Sequence, residues 1–190
     1  SLIQIDRRDP TYLTLAAAHP RLAAKDPNTW GLGAATEAAI RLNWVDLDET
    51  SRDLLPILDA LAAKFRERTD LVLCGMGGSS LAPEVIAQTY GKKVFILDST
   101  DPDYLAHALT GSSADLLVIV SSKSGSTIET ASQKSAAVAQ LLHQGLDPKN
   151  HLVIVTDPGS PLDKESRAAG FRVISADPNV GGRFSALSAF

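Results

Sequence analysis

From residue 71 onward, short apolar runs alternate with helical patterns, and this alternation restricts the possible folds more than any other feature of the chain. The runs are Leu71–Cys74, Val94–Leu97, Leu116–Val120, Leu152–Val155 and Phe171–Ile174. Short continuous apolar runs suit strands buried on both faces. Between them lie a helix over Leu81–Tyr90, one from Asp101-Pro102 through Leu109, and a long one over Thr127–His143 that ends near Gly145. A further helix is capped by Ser160-Pro161-Leu162-Asp163 and stops at Gly170. Parallel strands need a crossover between them, and a helix is the usual crossover. The expected fold is α/β: a three-layer α/β/α sandwich around a five-stranded parallel sheet, flavodoxin-like, preceded by N-terminal helices.

Residues 1–70 read as those helices and their connections. Asp9-Pro10 and Asp26-Pro27 are each an N-cap followed by proline at the first helical position. Trp30-Gly31-Leu32-Gly33 breaks the chain before a short helix through Ala38 and Arg41, and Trp44 and Val45 anchor a connection. Ser51–Arg68 reads as an amphipathic helix covering the sheet, with Leu54, Leu55, Leu58, Leu61, Ala62 and Phe65 on one face and Pro56 in its first turns or at a kink. The expected division is a helical segment over 1–70, the sheet domain over 71–176, and a distinct segment over 177–190.

The third run leads into Ser121-Ser122-Lys123-Ser124-Gly125-Ser126-Thr127. A buried strand that ends in hydroxyl residues at a helix N-terminus makes an anion site. The first turn's N–H groups lack helical partners, the helix dipole favours negative charge, and the hydroxyls add donors. A phosphate monoester, with about −1.5 to −2 charge and three acceptor oxygens, suits it. Ser126-Thr127-Ile128-Glu129 also reads as a capping box, which would occupy Ser126 and Glu129 structurally. In open α/β sheets ligands sit at the carboxyl ends of strands, near a topological switch point, and this loop lies at such an end. So does Gly75-Met76-Gly77-Gly78-Ser79-Ser80, a near miss to the G-x-G-x-x-G dinucleotide fingerprint, with Asp98 about 20 residues further on. A dinucleotide site would leave the second hydroxyl loop without a use.

The formal net charge is −4, which argues against a nucleic-acid partner held by phosphate neutralisation. Arg7-Arg8 and Lys92-Lys93 are isolated, solvated pairs. The single cysteine, Cys74, permits no intrachain disulfide and reads as a buried small hydrophobe. No signal peptide, transmembrane run or lipidation motif is visible, so the expectation is a cytoplasmic chain with no membrane partner. His19, His107, His143 and His151 have no metal-ligand spacing and read as surface or helix-end residues. No metal is expected.

Three stretches together resemble the sugar isomerase (SIS) domain, the phosphosugar-binding fold, and within it the bacterial glucose-6-phosphate isomerase family. They are Cys74–Pro83 (CGMGGSSLAP), Ser122–Thr130 (SKSGSTIET) and Asn179–Ser188 (NVGGRFSALS), the last being the most specific. The resemblance runs over residues 30 to 190. It implies that Ser122, Ser124, Ser126 and Thr127, with the Lys123 backbone, hold a sugar phosphate. It implies that Gly78 and Ser79 contact sugar hydroxyls, and that Gly182 and Arg183 sit beside the reacting carbons, with Arg183 catalytic. The implied reaction is the aldose–ketose exchange of glucose 6-phosphate and fructose 6-phosphate through an enediolate, a step of glycolysis and gluconeogenesis, with no cofactor. Arg183 keeps its proton and can stabilise enediolate charge; its structural alternative is a salt bridge after a Gly-Gly turn. The family's glutamate base, ring-opening histidine and late lysine have no counterparts up to Phe190, so the chain is expected to be inactive alone. Glu129 is the carboxylate nearest the loop in sequence. A non-catalytic phosphosugar sensor on the same fold, and part of a bifunctional transaldolase/isomerase, are the alternatives, and the oligomeric state is open, a homodimer included.

Overall fold

The structure, a computed structural model, describes residues 6–110 and 113–190. Residues 1–5 of the expected N-terminal segment lie outside that range. Among the described residues five strands appear: β1 Asp70–Gly75, β2 Phe95–Leu97, β3 Leu116–Ser121, β4 Leu152–Thr156 and β5 Arg172–Ser175. They form one parallel sheet in the order β2-β1-β3-β4-β5. Each expected run is present, within a residue or so at either end. The order reverses at β1, which has β2 on one side and β3 on the other, so the switch point lies between β1 and β3.

The pleat sends alternate side chains to opposite faces. Val72, Cys74, Val118, Val120, Leu152 and Ile154 share one face, covered by α6 (Pro102–Leu109), α7 (Ile128–His143) and α8 (Pro161–Ala168) through Leu109, Ala137, Leu141 and Leu162. Leu117, Val153, Val155 and Ile174 share the other, with Phe65, Ala176 and Phe190. Each fully buried Leu or Ile contributes about 1.5–3 kcal/mol, so this two-sided burial accounts for the apolar strands. Cys74 is fully enclosed, and burial pushes its thiol up to about 12.

The N-terminal half holds α1 (Pro10–Ala23), α2 (Leu32–Ala38), α3 (Leu47–Thr50) and α4 (Leu55–Lys64). Asp9 caps α1 by accepting from the amides of Thr11 and Tyr12. The expected helix over Ser51–Arg68 does not form as one piece. A 3₁₀ turn, Ser51–Leu54, precedes α4, which places Pro56 in its first turn. A proline lacks the N–H that a helix interior needs and is tolerated where that N–H would be unpaired anyway. Leu55 and Leu58 remain exposed, so only the Leu61–Phe65 end of α4 covers the sheet.

Two further expectations change. The helix after β1, α5, spans Gly78–Thr89 rather than starting at Leu81, because Gly77 turns the chain at φ +60° and lets Gly78 enter the helix directly. His151 is buried, not superficial, with its Nδ1 2.8 Å from the Leu116 carbonyl oxygen. Among the described residues, no helix is long and apolar enough to cross a membrane, and no group of three or more His, Cys, Asp or Glu could hold a metal ion.

Candidate functional site

The turn after β1 and the loop after β3 open side by side at the switch point. Between them is a cleft of about 430 Å³, within the usual range for small-molecule sites. Gly78 and Ser79 of α5 line it, with Ser122, Lys123, Ser124 and Thr127 of the β3–α7 loop and Gly182 from the far end of the chain. Thus seven of the nine residues singled out in the sequence meet in one place. Ser126 lies on the same loop, exposed, with its hydroxyl 3.0 Å from Ser124 Oγ and its amide donating to that oxygen at 3.2 Å. Arg183 lines the adjoining cleft instead.

The loop is fixed from below and left open at its tip. Ser122 N–H donates to the Val155 carbonyl (3.0 Å), and Thr156 Oγ1 donates to the Ser122 carbonyl (2.6 Å). Gly125 sits at φ +65° against α8, where an added Cβ would come within 2.7 Å of Leu162 Cβ. The expected capping box does not form. Thr127, not Ser126, is the N-cap of α7, and its side chain makes no cap hydrogen bond. The helix therefore starts one residue late for a box between Ser126 and Glu129, and the Thr127 hydroxyl stays available to a ligand. The same cleft is lined by Ser121, Thr130 and Asp157, and Ser121 Oγ, Thr130 Oγ1 and Asp157 Oδ1 are all buried without a partner among the described residues. A buried orphan of this kind costs about 1–3 kcal/mol, so unpaired polar atoms gathered at one cleft favour a polar occupant.

The Lys123 ammonium turns away from the loop tip. It pairs with Asp157 Oδ2 at 2.7 Å and donates to the carbonyls of Pro178 (3.1 Å) and Asp177 (3.4 Å). Asp157 is thus the carboxylate in the cleft wall. In sequence the carboxylate nearest the loop is Glu129, and a separation of 34 positions hides the pairing of Lys123 with Asp157. Gly78 meets Gly182 so closely that an added Cβ would lie under 3.0 Å from the Gly182 carbonyl oxygen. This contact seats the 3₁₀ turn Gly182–Phe184 on the first turn of α5.

That turn also borders a second cleft of about 570 Å³, which shares Arg41, Lys123 and Gly182 with the first. Its wall includes Trp44 stacked on Phe184, centroids 4.9 Å apart and planes 21° from parallel. Arg183 is exposed on this side and forms no ion pair among the described residues, contrary to its structural alternative. Arg41 was not singled out from the sequence; only its place in both clefts reveals it. Asp98 is exposed and lies outside both linings. The strand order also differs from the 3-2-1-4-5-6 arrangement of dinucleotide folds.

No family model matches the chain. Glucose-6-phosphate isomerase of Thermus thermophilus is 35% identical over 162 residues, which is 80% of this chain and 38% of that protein. The chain thus spans well under half the length of this curated relative. A crystal structure of a glucose-6-phosphate isomerase from Chlamydia trachomatis superposes with a TM-score of 0.64 at 29% identity, covering 87% of this chain and 32% of that one. Tagatose-6-phosphate ketose/aldose isomerase from Escherichia coli aligns at TM-score 0.50 and 15% identity, over 80% of this chain and 44% of its own, and shows a likeness of fold alone. Over the matched four-fifths of its length, this chain is a homologue of the bacterial glucose-6-phosphate isomerases.

Proposed function

We propose that the cleft between α5 and the β3–α7 loop binds a phosphosugar, and that the protein takes part in the exchange of glucose 6-phosphate and fructose 6-phosphate. The observation that carries this reading is the gathering of Ser122, Ser124, Thr127 and the open N-terminus of α7 in a polar cleft at the switch point. Ser124, Ser126 and Thr127 would donate hydroxyls to the phosphate, with the Ser122–Lys123 backbone completing the cradle. Gly78, Ser79 and Gly182 would border the sugar. A sugar chain running past Gly182 enters the second cleft, where Arg183 offers a permanent positive charge.

The chemistry follows from the substrate. After ring opening, a base removes the C2 proton of the aldose and an enediolate forms. Transfer of the proton from the C2 oxygen to the C1 oxygen, and protonation at C1, give the ketose. Arg183 would lower the barrier by stabilising the enediolate oxygens as charge develops. Asp157 is bound to Lys123 and is poorly placed to serve as a free base. We assign the base to no residue lining the cleft. A cytoplasmic setting agrees with the lone buried cysteine.

Calorimetric titration of glucose 6-phosphate into the wild-type chain and a Ser124→Ala/Thr127→Ala variant tests the site. Each hydroxyl bond to a charged acceptor is worth about 1.5–3 kcal/mol, so affinity should fall by about 100-fold or more. Unchanged affinity would remove the loop from the site.

A further inference from the structure

We infer that Arg41, rather than Lys123, is the side-chain cation that meets the anionic part of the ligand; this rests on the phosphosugar reading of the cleft. Both residues line both clefts. Their donors decide between them. An ammonium has three N–H bonds. Those of Lys123 face three acceptors: Asp157 Oδ2, the Pro178 carbonyl and the Asp177 carbonyl. Its charge is also neutralised by Asp157. A guanidinium has five N–H bonds in a planar fork. Arg41 directs Nε to Glu37 Oε1 (2.8 Å) and Nη1 to the Pro178 carbonyl (2.8 Å), and among the described residues no other acceptor is engaged. Three N–H bonds therefore remain at the junction of the two clefts.

Arg41 is also held there. The adjoining Leu42 forms an antiparallel bridge with Val180. Asn43 donates its amide to the Asn179 carbonyl (3.3 Å) and its Nδ2 to Asp177 Oδ2 (2.7 Å). The Pro178 carbonyl is shared by Arg41 and Lys123, so the guanidinium and the phosphate loop are referred to one backbone point. The pair with Glu37 is a rim contact, since the Glu37 side chain is 70% exposed. Exposed pairs of this type are weak, and an incoming dianion competes with it readily. A planar fork with free N–H bonds is suited to paired hydrogen bonding with phosphate oxygens.

The test uses Arg41→Ala and Arg41→Gln, the latter retaining an N–H for Pro178 without the charge. Ligands are glucose 6-phosphate and glucose 6-sulfate, which carries one fewer negative charge. Loss of a charge-assisted contact should weaken glucose 6-phosphate by about tenfold or more in both variants, and glucose 6-sulfate distinctly less. Glu37→Ala, which removes the acceptor and frees Nε, should tighten glucose 6-phosphate about twofold to threefold. Two results would overturn the inference: affinities within twofold of wild type, or equal losses for the two ligands, the mark of a merely structural role. Failure of the wild-type chain to bind either ligand would overturn the phosphosugar reading and this inference with it. Binding that is sensitive to Ser124 and Thr127 but indifferent to Arg41 would overturn the inference alone.

Discussion

Gly78→Ala probes the contact that joins the two halves of the cleft. The new Cβ would lie under 3.0 Å from the Gly182 carbonyl oxygen, 3.2 Å from the Gly182 carbonyl carbon and 3.2 Å from Ser185 Oγ. Two of these atoms are backbone and cannot rotate away. The third donates to the Gly182 carbonyl at 2.7 Å from a residue that is 1% exposed. Relief requires lifting the Gly182–Phe184 turn off α5. Overpacking of this kind costs about 1–3 kcal/mol, and alanine's helical preference, at most about 1 kcal/mol over glycine, offsets part of it. A net loss of about 1–2 kcal/mol should lower Tm by about 2–8 °C in a chain of this size. Gly33→Ala, in α2, is the control: an added Cβ there meets nothing within 4 Å, and the change should leave stability equal or raise it by about 0.5–1 kcal/mol. Thermal denaturation and titration of glucose 6-phosphate should separate the variants, Gly78→Ala losing affinity as well as stability. If Gly78→Ala matched Gly33→Ala in Tm and bound the ligand like wild type, the seating of the turn on α5 would be wrong.

Cys74 should resist alkylation in the native chain at about pH 9 and react once denaturant is added, because burial pushes the thiol up to about 12. Its contribution to stability is complete below the ordinary 9.0 and is lost as pH rises toward 12, so denaturation midpoints of wild type and Cys74→Ala should converge over that window. At the start of α8, the Gly159 amide first, and then Arg167, hold the Asp163 carboxyl below the usual carboxylate range. The stability this gives is present above the unfolded value and lost as pH falls through the folded one. Asp163→Asn should therefore be less stable than wild type at neutral pH, and urea denaturation should show the gap closing below about pH 4.

The sheet was legible because five strands buried on both faces leave continuous apolar runs, and the phosphate loop because its hydroxyls are contiguous. What eluded the sequence depends on distant partners. Arg41 sits in the turn just after α2, beyond the helix end at Ala38, and its place beside the cleft follows from contacts with Pro178 and Leu42's bridge to Val180. The direction of Lys123 is set by Asp157, in the turn after the next strand. The burial of His151 follows from the Leu116 carbonyl of a neighbouring strand. Two misreadings were local. The stretch that hydrophobic spacing joined over Ser51–Arg68 opens as a 3₁₀ turn before α4, and a one-residue shift at Thr127 turned an apparent capping box into an open N-terminus.

The most direct test of the phosphosugar site is amide NMR during titration with glucose 6-phosphate, with unphosphorylated glucose as the comparison. The account predicts saturable shifts at Ser124, Ser126 and Thr127, with smaller ones at Gly78, Ser79 and Gly182, and none of comparable size from glucose. Shifts centred on Asp98 and the turn after β1, or an absence of any saturable response in the Ser122–Thr127 loop, would contradict it.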